Sequence, residues 1–134
     1  MNDKTEKSAR YAQGMQTRRK VLGDAHVDRA EAGKTEFDAP FQELITEAAW
    51  AHVWCSDGLT KRERSMLTLA LLAGLGNYDE LAMHTRATAN TGASPEDIRE
   101  VLMHVAIYAG VPRANHAIKV VKQVLDEMER EKAS

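Results

Sequence analysis

The chain has 134 residues, a net charge of −2, and 28% charged residues of both signs against 43% hydrophobic ones. That length suits one compact domain over 1–134, with a core that needs no disulfide or metal, after a polar N-terminal segment of about 17 residues. The interspersed charge excludes the basic face that nucleic acid requires and a polybasic membrane signal. The single cysteine, Cys55, excludes an intramolecular disulfide and any C-x-x-C motif.

Ala, Leu, Glu, Lys and Arg dominate and aromatics are 5% of the chain, a helical composition. The N-terminal "MNDKTEKSAR" has no signal-peptide apolar region, and no apolar run reaches membrane-spanning length. The cytoplasm is the expected location. The polar tail and the polar "REKAS" end read as natural chain ends.

In chain order, a polar helix is expected from about Lys4 to Leu22. After Gly23, Asp24 is a candidate cap for a short helix through "AHVDRAE", with Gly33 ending it. The next helix opens with Asp38 as N-cap and Pro40 in its first turn. Phe41, Leu44, Ile45, Ala48, Ala49 and His52 then recur at three- and four-residue spacing, predicting one apolar stripe that "SDG" at Ser56–Gly58 ends.

Thr60-Lys-Arg-Glu63 is a capping box. The helix it opens, "SMLTLALLAGLG", is apolar on almost every side, so it belongs at the centre of a domain or between subunits. Gly74 and Gly76 stop it. A helix from Asn77 to about Asn90 follows, with Gly92 as its C′ glycine. Ser94-Pro95-Glu96-Asp97 starts another, with Ile98, Val101, Leu102 and Val105 inward and Tyr108 a further candidate. "GVPR" breaks it, and a last helix buries Ile118, Val121, Leu125 and Met128 with Val124 beside them. No strand pattern or repeat occurs. The expected fold class is all-α, with six or seven helices.

Candidate chemical groups are sparse. Glu80 and His84 lie four residues apart, on one face of a helix. Either they form a carboxylate–imidazole pair, or Glu80 closes a capping box with Asn77 and His84 is half-buried. Residue types alone favour the cap. His26, His52, His104 and His116 lack the spacing and supporting carboxylates of a zinc site. Cys55, without a resolving partner, reads as an incidental thiol. No G-x-S-x-G elbow supports Ser/His/Asp hydrolysis, and the glycines at Gly74–Gly76 and Gly110 fail phosphate-loop spacing. Arg62 and Arg86 read as solvated charge. Arg64, beside the most apolar helix, has the forked geometry that suits a substrate carboxylate. Trp50 and Trp54 read first as core, with pocket lining the alternative.

"LGDAHVDRA", "FQELITEAAWAHVW", "GLTKRERSMLTLALLAGLGNYDELAMHTRATANTG" and "IREVLMHVAIYAGVPRANHA" together resemble the carboxymuconolactone decarboxylase family, from about Arg18 to Val124. "GDAHVDRA" and "IYAGVPRAN" narrow the resemblance to the branch that serves protocatechuate catabolism. It implies helices around a central helical hairpin, a trimer or hexamer of identical chains, and no cofactor. The implied reaction removes CO₂ from 4-carboxymuconolactone to give 3-oxoadipate enol-lactone. The peroxidase-associated branch of the superfamily carries C-x-x-C followed by a histidine. Here its cysteine positions hold Asn77 and Glu80, the histidine is His84, and its relay glutamate is replaced by Ser65.

On that resemblance His84 is the expected proton donor or oxyanion partner and Glu80 its orienting group. Arg64 is assigned to a substrate carboxylate, with Trp54 and Tyr108 as pocket walls. Two other functions compete. A thiol-linked peroxidase would require the missing cysteines and would consume peroxide with a thiol donor. A non-catalytic helical module binding a small acid or a protein would release no CO₂ from the lactone.

Overall fold

The computed structural model describes residues 7–133. Those residues form helices only: α1 (Ala9–Leu22), α2 (Asp24–Ala32), α3 (Ala39–Ile45), a π-helical continuation (Thr46–Val53), α4 (Lys61–Leu75), α5 (Tyr78–Thr91), α6 (Pro95–Tyr108) and α7 (Val111–Ala133). The all-α class is as expected. The expected start of the first helix at Lys4 lies outside the described residues. The chain divides into two compact units, one ending at Leu59 and the other running from Thr60.

In the first unit, α1 is capped by the Ser8 hydroxyl, which accepts the Tyr11 N–H. Asp24 is not a cap: it is the first residue of α2, after Gly23. Its carboxylate pairs with Arg19 one turn back at 3.0 Å. Asp38 stands at the N-cap of α3, yet its side chain reaches backward, accepting the Thr35 N–H at 2.8 Å.

The largest departure lies beyond Ile45. There the hydrogen bonds widen to the i→i+5 pattern, ending with the Trp54 N–H donating to Ala49 O. A wider turn shifts each later side chain relative to α spacing. Within the run Thr46, Trp50 and Ala51, and after it Trp54, are buried, while Ala48 and His52 of the expected stripe are exposed; Phe41 and Leu44, which precede it on α3, are exposed as well. The π turns are tight against α1, where Gly14 makes room. A Cβ at that position would fall 2.1 Å from the Thr46 carbonyl oxygen.

The second unit follows the sequence signals closely. Thr60 with Glu63, and Ser94 with Asp97, both form complete capping boxes. Leu69, Leu81, Ile98, Val101, Leu102, Val105 and Val121 make its core, with small residues Ala73, Ala114 and Ala117 letting the helices approach. On α4, Ser65, Leu69 and Ala73 are buried, while Leu67, Leu71 and Leu75 form an exposed ridge on the opposite face. α4 therefore packs the core with one side and offers a leucine ridge with the other. Of the residues expected inward on α7, Val121 and Val124 are buried and Leu125 and Met128 half-buried, but Ile118 is exposed.

Candidate active site

α4 and α5 form an antiparallel hairpin. Its turn is a Schellman closure: the Asn77 N–H donates to Leu72 O at 2.8 Å and the Gly76 N–H to Ala73 O at 3.2 Å. Gly76 takes the left-handed φ of 77° that this closure needs. At the other end of the hairpin, the Ser65 and Thr91 hydroxyls meet at 2.7 Å.

This turn decides the status of Glu80. A capping box would have Glu80 accept the Asn77 N–H, but that N–H already serves the end of α4. Asn77 stands at the N-cap with no side-chain cap hydrogen bond. The expected cap is thus absent, and Glu80 has no hydrogen-bond or ion-pair partner among the described residues. It is exposed, in the first turn of α5, where the helix dipole favours a negative charge.

His84 is buried, one turn further along α5, beside Leu81, Thr85 and Thr88. The two threonines are satisfied locally: Thr85 Oγ1 donates to Leu81 O at 2.8 Å and Thr88 Oγ1 to Thr85 O at 2.6 Å. The imidazole is thus packed among hydroxyls whose own donors are already satisfied. Glu80 sits at the rim of that position.

The other candidates are scattered. Arg64 precedes Ser65, so it lies at the Thr91 end of the hairpin. Seven residues of helix put that end about 10 Å along the axis from His84. Its Nε is buried. Tyr108 ends α6, 79% exposed, against His104 with ring centres 4.8 Å apart. Trp54 is in the first unit, buried and packed on Trp50 at 5.3 Å.

Several other charges are paired. Arg62 forks onto Asp97 at 2.6 and 2.8 Å, and Arg86 bridges to Glu127 and Glu131 on α7. The Arg62 guanidinium, with help from the Ser94 N–H, holds the Asp97 carboxyl well below the usual carboxylate range. Burial, and then the nearby Arg29 and Arg18, push the His26 imidazole down. Cys55 Sγ lies 2.8 Å from Thr17 Oγ1, a thiol within a local polar contact.

Three features carried weak sequence signals or none. Ser65 is a polar residue on the buried face of the most apolar helix, which is a signal. The stack of Tyr78 on His116, with centres 3.8 Å apart, joins the first turn of α5 to the start of α7. Arg113, in the first turn of α7, lies against Gly76. Neither of the last two has any local pattern.

A family model for the carboxymuconolactone decarboxylase family matches residues 39–123. A 4-carboxymuconolactone decarboxylase of Acinetobacter baylyi is 38% identical over 128 residues, covering 96% of this chain and 92% of the relative. A nitrosuccinic acid decarboxylase of Metarhizium robertsii is 40% identical over 118 residues, covering 88% and 82%. A 4-carboxymuconolactone decarboxylase of Pseudomonas putida is 52% identical over 44 residues, covering 33% of this chain and 92% of the relative. The two long matches have nearly equal identity, so identity alone does not choose between their substrates.

Proposed function

The chain belongs to the carboxymuconolactone decarboxylase family, and from that premise we propose that it decarboxylates 4-carboxymuconolactone to 3-oxoadipate enol-lactone in protocatechuate catabolism, in the cytoplasm. The observation that carries this reading is the match to a decarboxylase of that substrate across nearly the whole of both chains.

The chemistry asks little of a protein. The bond between the γ-carbon and its carboxylate breaks and CO₂ leaves. The electron pair moves through the ring double bond to the lactone carbonyl oxygen, giving a delocalised furan-type oxyanion. One proton then goes to the α-carbon. The substrate is its own electron sink, so no cofactor is required. The protein must orient a dianion, place a donor at the developing oxyanion and deliver the proton.

His84 is the proposed donor, since an imidazole exchanges protons near neutral pH. Glu80, released from capping duty, is the proposed orienting group. Arg64, Trp54 and Tyr108 are the proposed substrate-binding residues. The exposed Tyr108 takes that role only where a second copy covers it. The exposed ridge Leu67, Leu71 and Leu75, with Met103, Ile107 and Val111, supports a homo-oligomer, because such apolar surface marks assembly.

Nitrosuccinate is the second reading, favoured by the Metarhizium robertsii relative. Its carboxylate would leave from the carbon bearing the nitro group, with the electron pair moving onto the nitro oxygens and a proton returning to that carbon. Both substrates are dicarboxylates that decarboxylate into an oxyanion. Measuring kcat/KM for the two in parallel separates the readings. With the preferred substrate, His84→Ala is expected to lose about 10²- to 10⁴-fold in kcat/KM, and Glu80→Gln less. Near-normal turnover by a folded His84→Ala protein would sink the assignment.

A further inference from the structure

We propose that Arg113 binds the carboxylate that the substrate retains, an inference that rests on the placement of the reaction at His84 and Glu80 argued above. The seat of its guanidinium is built. A Cβ on Gly76 would fall 1.7 Å from Arg113 Nη1 and 3.0 Å from Cζ, so the exposed guanidinium lies over the open face of that glycine. The same glycine supplies the left-handed turn between α4 and α5. One residue thus makes the turn and lies under the guanidinium.

Position then does the rest. The turn leads directly into Tyr78, Glu80 and His84. Six residues of helix separate Tyr78 from His84, about 9 Å along the axis. A guanidinium reaching out from the turn and an imidazole on α5 would span a short dicarboxylate between them. The stack of Tyr78 on His116 holds the start of α7, which carries Arg113, against the start of α5. Arg64 stands at the opposite end of the hairpin, at a similar distance along the axis from His84.

Charge bookkeeping points the same way. Arg62, Arg86 and Arg130 all face carboxylates at 2.6 Å. Arg113, like Arg10, Arg29 and Arg99, forms no ion pair with any described carboxylate. The bland role for it is neutralising the end of α4. Two of the carbonyls there, those of Leu72 and Ala73, already accept backbone N–H groups. An unengaged fork of donors beside the site has the geometry for bidentate capture of a carboxylate.

The test compares wild type with Arg113→Met and Arg113→Lys, reading KM and kcat on 4-carboxymuconolactone, thermal midpoint, and inhibition by succinate and by propanoate. Expected for Arg113→Met is a KM raised about 10- to 100-fold, a much smaller change in kcat, and an unmoved thermal midpoint. Inhibition by succinate and by propanoate should both weaken. Arg113→Lys should restore KM only in part, since an ammonium keeps the charge and loses the fork. A lowered midpoint with unchanged KM would overturn the proposal in favour of a structural role. Should wild type leave the lactone untouched, the reaction assigned above falls, and succinate binding by calorimetry decides this inference separately. Weaker binding in Arg113→Met then supports it, and equal binding overturns it.

Discussion

The two compact units close their cores by different means. The unit from Thr60 onward is built from α-helices whose starts are written locally, in two complete capping boxes. Its large apolar residues fall at α-helical spacing. The unit ending at Leu59 depends on a π-helical run and on one glycine under it. The contrast teaches that local signals fix where a helix begins and ends, while the period within it is settled by what the helix packs against.

Three substitutions sharpen or break that contrast, and the probes are convenient because both tryptophans lie in the first unit. The largest effect is expected from Leu69→Ala. Leu69 is fully buried at the centre of the second unit's core, so the cavity should cost about 2–5 kcal/mol in urea unfolding followed by circular dichroism. A smaller loss would mean that this core is loosely packed and can collapse.

Gly14→Ala should come next, by the opposite mechanism. The added methyl meets the Thr46 carbonyl oxygen at 2.1 Å, so the π run or α1 must move. Overpacking of this kind costs about 1–3 kcal/mol, and tryptophan fluorescence should report it. An unchanged fluorescence transition would show that the first unit has slack where the structure has contact.

The smallest effect belongs to Asp97→Asn, which removes both the partner of Arg62 and the acid of the Ser94 box. The sign follows from the depressed carboxyl pKa. The folded protein holds this proton less tightly than the unfolded chain, whose ordinary value is 3.8. The pair therefore contributes fully above that value, and its contribution is lost as pH falls toward the folded one. Thermal midpoints of wild type and Asp97→Asn should differ at neutral pH and converge in acid. A gap that persists unchanged at low pH would assign the effect to something other than the charge.

Much of the fold was legible for reasons that these residues make plain. Thr60 with Glu63, Ser94 with Asp97, and Gly92 are signals complete within a few positions. The π run was not legible, because Ile45, Ala48 and Ala49 fit an α stripe as well as any other apolar set. The failed cap at Asn77 had a similar cause: its N–H was contested by the preceding helix, and a motif read forward from Asn77 does not see backward to Leu72. Within the site, the four-residue spacing of Glu80 and His84 could be read from the sequence, as could the family. That His84 is buried while Glu80 is exposed could not. Arg113 was invisible, because its meaning comes from a glycine on another helix.

The Schellman closure at Asn77 has one more consequence. A carboxylate clamped in a capping box must break a hydrogen bond before it can turn. Glu80 is held at the head of α5 by the helix's field alone, and a field constrains position far less than a bond does. Its side chain therefore has no hydrogen bond to sever when it turns, which makes the ending of one helix the source of freedom at the start of the next.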